Sequence, residues 1–257
     1  MIYLRAGLIW FNFLCLTLML FVLLLLVVAY CRLFRPHDMS HAAHWVATLW
    51  GRGSILFSPG WSYSVRGKEH LPRNGDKPVV IIANHQSAAD ILAVYLTGAQ
   101  FRWLSKHTVF KTPILGPAMR WAGYIPIRRG DKESHNAALR ASYSWIRNGV
   151  SMVFFPEGTR SENGQLKEFK SGAFRIAVDE KVAILPVVIR GTRGMVQKNT
   201  LLPRSAHLHL EILPPVFALD NEDAEAFTLR VRDIMGAELA KPLHVYRADY
   251  EGIPVRV

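Results

Sequence analysis

The sequence predicts an α/β fold, a mixed sheet flanked by helices, preceded by an N-terminal membrane helix or a two-helix membrane motif. Short apolar runs that stop at polar corners alternate with segments of helical spacing, which is typical of α/β domains. Residues 6–31 carry no charged side chain. A chain of 257 residues accommodates one substantial domain and an appendage.

The apolar N-terminal run has the length of a membrane helix. At about 1.5 Å per residue, a helix over residues 6–31 exceeds the roughly 30 Å hydrocarbon core of a bilayer. The run is too long for a cleaved signal peptide. Arg32, Arg35 and Arg52 follow the run, so the positive-inside bias predicts that the next domain is cytoplasmic, on the inner membrane if the protein is bacterial. The alternative is a buried helix of a soluble core.

Tryptophans mark the segment at residues 41–61, where Trp45, Trp50 and Trp61 alternate with polar residues. This pattern predicts a second, interfacial helix or a re-entrant hairpin. The alternative is that these aromatics pack against the domain. The predicted division is a membrane anchor with an interfacial helix (1–61), an α/β domain (62–240) and a tail without clear periodicity (241–257).

The central unit of the domain reads PVVIIANHQSAADILAVYL at residues 78–96. A buried strand is predicted at residues 79–82, which places His85 just past its carboxyl end, where open α/β sheets bind ligands. Ser87 is predicted to cap the following helix. Asp90 lies five residues after His85, so its carboxylate can return to the imidazole and make it a general base. The alternative makes Asp90 a capping-box residue and His85 an ordinary loop histidine.

A basic stretch starts at Lys106 and continues to residue 131. A strand at residues 124–127 delivers Arg128 and Arg129 to its carboxyl end. Paired guanidinium groups there can grip a phosphate bidentately, which lysines do less well. The alternative is a solvated basic rim.

The sequence SMVFFPEGTR, residues 151–160, predicts a strand at 152–155 that Pro156 stops. The turn then exposes four residues: Glu157, Gly158, Thr159 and Arg160. Glu157 supplies an acceptor and Arg160 a fork of donors, although such a pair is often a structural ion pair. Lys170, just before a short helix at 173–178, gives another plausible anion site.

The remaining pattern completes the domain. The apolar strand at residues 182–189 contains Pro186, which predicts an edge position or a bulge. Further strands are expected at 63–65 (an edge strand), 101–104 and 207–212, and helices at 114–121, 131–147 and 222–240.

Composition limits the function. The formal net charge of +11 suits an anionic membrane face or phosphorylated substrates, whereas the lack of a long basic run argues against nucleic acid. Cys15 and Cys31 lie in the apolar run, so neither a disulfide framework nor a thiolate metal site is expected. No His or Cys cluster has metal-ligand spacing, and no Gly-x-Ser-x-Gly elbow presents a serine nucleophile.

Four blocks together resemble the lysophosphatidate (1-acyl-sn-glycerol-3-phosphate) acyltransferase family: NHQSAAD, the stretch ending in YIPIRR, FPEGTR and ILPVVI. The similarity covers about residues 63–215. The resemblance implies that His85 is the catalytic base and Asp90 its orienting partner. It places Glu157 and Arg160 in the acceptor-binding motif and Arg129 in the glycerophosphate-binding motif.

The same resemblance assigns Pro186 to the last family motif. Arg128 departs from the pattern, since members often have Asp or Asn before the matching arginine.

This family transfers an acyl chain from an acyl thioester, either acyl-CoA or acyl-acyl carrier protein, to the sn-2 hydroxyl of lysophosphatidate in the membrane. No other cofactor, metal or nucleic acid is expected. The open alternatives are another lysolipid, such as lyso-ornithine lipid, glycerol-3-phosphate as acceptor, and a non-catalytic basic module that binds the membrane surface.

Overall fold

A computed structural model of the chain describes residues 2–73, 75–161, 163–196 and 202–242. The helices are α1 (Ile2–Phe34), α2 (Met39–Leu56), α3 (Asp90–Tyr95), α4 (Leu115–Trp121), α5 (Lys132–Arg147), α6 (Gly172–Glu180), α7 (Thr192–Met195) and α8 (Ala224–Ala240). The strands are β1 (Trp61–Arg66), β2 (Val80–Ala83), β3 (Phe101–Lys106), β4 (Ile125–Ile127), β5 (Ser151–Phe154), β6 (Ile184–Arg190) and β7 (Ala206–Ile212).

The described strands form one mixed sheet in the order β1-β7-β6-β2-β5-β3-β4. The five strands from β6 to β4 are parallel, whereas β7 runs antiparallel to β6, and β1 is parallel to β7. The mixed α/β sheet is therefore confirmed, as is the edge position of β1. The carboxyl ends of β6, β2, β5, β3 and β4 share one edge of the sheet, which is where ligands bind in such folds.

Alternation along β2 separates two apolar layers. Ile81 faces a cluster that includes residues of α1 to α4, and Val80 and Ile82 face a second cluster with α5, α6 and α8. All three side chains are fully buried. This two-residue period is what a strand covered on both faces by helices requires.

Helix α1 packs against α2 in a two-helix motif. Its buried residues recur every three to four positions or at multiples of that spacing: Ala6, Ile9, Leu16, Leu20, Leu24, Val28 and Cys31. The opposite side exposes large apolar side chains such as Leu4, Phe11, Met19 and Leu26. Among the described residues, α1 is the one helix long and apolar enough to cross a membrane by length and composition. Such an exposed apolar face is typical of membrane association.

The three tryptophans of the second segment have different surroundings. Trp50 donates through Nε1 to Thr17 Oγ1 at 2.9 Å, and its ring meets Tyr95 edge to face. Trp45 is half exposed on α2. Trp61 lies in β1 and donates to the Arg204 carbonyl at 2.9 Å. A second helix, α2, is thus present, and its Trp50 packs against α1 and α3, whereas its position at a membrane interface stays a prediction.

Pro186 lies in an interior strand, so the predicted edge position is wrong, whereas the predicted bulge is present on the segment that faces it. β6 is fully buried between β2 and β7. Ile184 exchanges both backbone hydrogen bonds with Val216, and the Pro186 carbonyl accepts from Leu213 N at 2.9 Å. Backbone groups two residues apart face the same side, so the proline nitrogen faces residues 213–216. Val187 pairs with Ile212 but Ile184 pairs with Val216, so the facing segment has one extra residue, and this bulge leaves no acceptor that needs a donor from Pro186.

Most predicted elements are found, with boundaries shifted by a few residues. The division at residues 61 and 62 stays a prediction, since the first apolar cluster includes residues of α1 and α2 together with residues of the sheet. Residues 243–257 of the predicted tail lie outside the described residues.

Candidate active site

The turn after β2 holds a hydrogen-bonded histidine and aspartate. His85 Nδ1 lies 2.7 Å from Asp90 Oδ2. Because a carboxylate only accepts hydrogen bonds, Nδ1 carries the hydrogen of the neutral ring and Nε2 keeps its lone pair. The side chain of His85 is 12% exposed, whereas that of Asp90 is fully buried. The predicted pair therefore forms, with a base nitrogen left over for another partner.

The same carboxylate oxygen organises the turn. Asp90 Oδ2 also accepts from the backbone amides of Gln86 at 2.6 Å and Ser87 at 2.7 Å. The capping contact and the histidine contact, weighed as alternatives, thus occur together at one oxygen.

Ser87 is not the N-cap of α3, which corrects the prediction. The N-cap is Ala89, and Ser87 Oγ instead accepts from Ala89 N at 3.3 Å and donates to the Val196 carbonyl at 3.2 Å. The turn over residues 87–89 intervenes before the helix, because Asp90 holds the Ser87 amide.

Asn84, which the sequence reasoning missed, ties the end of β2 to β6. Its Nδ2 donates to the Ile189 carbonyl at 2.9 Å, and Ile189 N donates to its Oδ1 at 2.7 Å. Asn84 is buried. A polar residue between an apolar run and His85 was the available signal. These bonds fix the strand end from which His85 projects.

Glu157 joins the FPEGTR turn to the His85 turn. Its Oε1 accepts from His85 N at 2.8 Å, and its Oε2 accepts from Lys167 N at 3.1 Å. Ser161 N donates to the His85 carbonyl at 2.7 Å. Burial raises the pKa of the Glu157 carboxyl, and the two amides oppose this shift. The carboxylate thus binds backbone amides rather than forming the ion pair with Arg160.

Aromatic and basic residues complete this turn. The ring of Phe155 stacks on His85 with centroids 4.4 Å apart. Gly158 has φ of 68°, and a Cβ there would lie 3.1 Å from Lys170 Nζ, so only glycine suits the position. Lys167 Nζ contacts Thr159 Oγ1 at 3.2 Å and the carbonyl of the next residue at 2.8 Å. Lys167 is a further residue that the sequence reasoning did not single out.

Positive charges line the same edge of the sheet. The pKa of His107 is lowered by partial desolvation and then by the charges of Arg128, Lys111 and Lys106, each of which acts on this imidazole. Arg129 is exposed just after β4. Strands are spaced by about 4.8 Å, which puts the ends of β2 and β4 about 14 Å apart, three strand positions along the edge.

The predicted cations share an edge but do not contact the imidazole. In the described part of the chain, no hydrogen bond or ion pair joins Arg129 or Arg160 to His85. Both arginines are exposed, as are Lys106 and Lys170. A phosphorylated ligand at this edge would therefore meet solvent-accessible guanidinium and ammonium groups. Across the described residues, no group of three or more His, Cys, Asp or Glu side chains is placed to hold a metal ion.

A mixed sheet with a His–Asp pair at the end of a central strand is the arrangement that the resemblance to acyltransferases predicted. A family model described as Acyltransferase matches residues 62–190. The chain belongs to the 1-acyl-sn-glycerol-3-phosphate acyltransferase family.

Individual relatives agree. A chloroplastic 1-acyl-sn-glycerol-3-phosphate acyltransferase of Arabidopsis thaliana is 38% identical over 173 residues, covering 67% of this chain and 48% of the relative. The enzyme of that name from Borreliella burgdorferi is 30% identical, covering 69% and 72%. The crystal structure of the acyltransferase PlsC from Thermotoga maritima matches with a TM-score of 0.70 and 26% identity, covering 96% and 98%.

The chain spans about half the length of the plant and algal relatives that it matches, with 48%, 42% and 60% of each covered.

Proposed function

We propose that this chain transfers an acyl group from an acyl thioester to the free sn-2 hydroxyl of lysophosphatidate, giving phosphatidate. The proposal is carried by one observation: a nearly buried imidazole, bonded through Nδ1 to Asp90, keeps Nε2 as a base at the edge of the sheet that also carries exposed cations. The names of the relatives support this reaction class.

In the proposed reaction, His85 Nε2 takes the proton of the acceptor hydroxyl while its oxygen attacks the thioester carbonyl. The thiolate leaves and takes up a proton, so no acyl-enzyme forms. Asp90 stabilises the imidazolium that develops and keeps the ring oriented. General-base assistance of this kind supplies about 10²- to 10⁴-fold.

The phosphate of the acceptor is proposed to bind the cations of the same edge. Arg129 and Arg160 offer planar forks that match phosphate oxygens, and Lys106 and Lys170 add charge. Arg128 adds a second guanidinium beside Arg129. Holding the phosphate positions the hydroxyl near His85, and such orientation contributes more than proton transfer alone.

The roles of Glu157, Gly158 and Thr159 in this proposal follow from their contacts. Glu157 holds the His85 backbone, and Gly158 permits the turn that presents Arg160. Thr159 bonds Lys167, which also binds the Arg160 carbonyl. These residues therefore shape the acceptor site.

The donor is proposed to be acyl-CoA or acyl-acyl carrier protein, both of which are acidic and suit the basic edge. No other cofactor, metal or nucleic acid takes part. The exposed apolar face of α1 is proposed to lie in the membrane, with the domain on the cytoplasmic side. A lysolipid then reaches the site from the bilayer.

The test is turnover by the purified chain with lysophosphatidate and each donor, beside glycerol-3-phosphate and a lysolipid panel that includes lyso-ornithine lipid. We expect phosphatidate from the wild type and none from His85→Ala. His135→Ala, an exposed histidine on α5, is the matched control and should keep full activity. Substantial turnover by His85→Ala would reject the base, and lipid binding without turnover by the wild type would favour the non-catalytic module.

A further inference from the structure

Ile114 has a strained backbone. Its φ of 65° and ψ of −62° form a turn that residues with a branched Cβ rarely adopt. Leu115 N donates to the Pro113 carbonyl at 2.7 Å, which closes this turn over Ile114. The next amide, of Gly116, donates to the Thr112 carbonyl at 3.0 Å. The surrounding hydrogen bonds therefore hold the isoleucine in this conformation.

Close packing explains why the chain turns here. A Cβ at Gly116 would lie 2.3 Å from the Phe110 carbonyl oxygen, so α4 begins directly against the 3-10 turn Val109–Lys111. Arg120 donates to the same oxygen at 2.7 Å. A glycine at position 114 would allow this reversal without strain. The turn therefore explains the backbone conformation at position 114, but it does not explain why the residue there is isoleucine rather than glycine.

Packing in the apolar cores does not explain the isoleucine either. Ile114 is half-buried, and it belongs to neither apolar cluster of the described residues, although Val109 and Ala118 on either side pack against the first. A strained residue outside both apolar clusters is typical of sites where the strain serves function.

The position of Ile114 indicates its ligand. The segment starts beside His107 and its cations and continues into α4, which contacts α1 and α2. The rings of Trp121 and Phe21 stack there with centroids 6.4 Å apart. Along the chain, Ile114 thus connects the cations near His107 to a helix packed against α1 and α2, and a ligand with a polar head and an acyl chain would suit both surroundings.

We propose that Ile114 is a specificity-determining residue whose side chain contacts the acyl chain of a substrate and sets the chain length that fits. The chain belongs either to the thioester donor or to the lysolipid acceptor. This inference rests on the proposed acyltransferase function.

Two variants at this position separate side chain from strain. Ile114→Gly removes both, whereas Ile114→Ala removes most of the side chain and keeps a Cβ at positive φ. Lys181→Gly is the matched control, because Lys181 also has positive φ, 51°, and is exposed at the end of α6. Each glycine variant should raise the thermal midpoint by about 2–4 °C, since glycine relieves the left-handed penalty.

Measurements of kcat/KM with substrates of different acyl length test the inference. One arm varies the acyl length of the thioester at constant lysophosphatidate, and the other varies the lysophosphatidate at constant donor. Both Ile114 variants should change the ratio of kcat/KM for long over short chains by about tenfold in one arm, which identifies the chain. Lys181→Gly should leave both ratios unchanged.

Two results would overturn the inference while the acyltransferase function stands: unchanged ratios in both arms for both Ile114 variants, or an equal change in Lys181→Gly. Absence of turnover by the wild type would instead overturn the function, and the inference with it.

Discussion

Asp90→Asn tests how much the charge of the buried carboxylate contributes. The substitution keeps the shape of the side chain and an oxygen that can accept from Gln86 N and Ser87 N. It removes the negative charge whose oxygen lies 2.7 Å from His85 Nδ1. In the proposed mechanism that charge stabilises the imidazolium formed when the acceptor hydroxyl loses its proton.

The expected decrease in rate for Asp90→Asn follows from the geometry of the pair. Asp90 is fully buried and His85 nearly so, which limits solvent screening. Two unit charges with centres about 4 Å apart attract by about 4 kcal/mol at an effective dielectric constant near 20. Losing this from the transition state corresponds to a decrease of about 10³-fold in rate.

The assay is kcat/KM for lysophosphatidate with a saturating thioester, supported by circular dichroism to confirm folding. Asp223→Asn is the matched control, since Asp223 also accepts two backbone amides, at the start of α8. We expect wild-type kinetics from the control. A folded Asp90→Asn enzyme within about tenfold of the wild type would refute the charge argument.

Three further substitutions have defined outcomes. Glu157→Gln should lower the free energy of unfolding by about 1–3 kcal/mol in urea titrations, because its amide NH2 faces a backbone donor; unchanged stability would contradict this. Arg160→Lys should raise KM for lysophosphatidate more than KM for the thioester, and equal effects would argue against a phosphate grip. Burial and then the charge of Arg102 lower the pKa of His44 from 6.5 to about 3. As the pH decreases, the unfolded chain therefore binds a proton at His44 before the folded chain does. The contribution of neutral His44 to the free energy of unfolding is complete above about pH 6.5 and is smaller by about 2 kcal/mol at pH 5. His44→Asn should flatten the urea midpoint between about pH 7 and 5, and an unchanged pH slope would exclude this source.

Local patterns predicted most elements, because most strands are apolar or alternating runs with clear ends and the longer helices of the domain have an apolar face. The edge position predicted for Pro186 was wrong for a physical reason. A proline is excluded from an interior strand only where the neighbouring strand needs its donor, and here the facing segment bulges between the pairs Val187–Ile212 and Ile184–Val216. Strand order, on which this depends, is a property of the whole sheet.

The candidate site was predicted in its residue types but not in its connections. The spacing of His85 and Asp90 allowed the hydrogen bond that the structure contains. Glu157, however, was expected to face a ligand, whereas both of its oxygens accept backbone amides. Asn84 was marked only by its polarity between an apolar run and His85, and Ile114 carries no distinctive local pattern. The contacts of Asn84 are with β6, which is distant in sequence. The conformation of Ile114 depends on the tight reversal that starts α4.

The buried stripe of α1 has a practical consequence. Leu16, Leu20 and Leu24 belong to the same apolar cluster as Ile81 and Leu185 of the sheet. Cutting away the first helix to obtain a more soluble protein would therefore uncover the interior of the α/β domain itself. Preparations should keep the helix, because this long apolar segment also forms one wall of the fold.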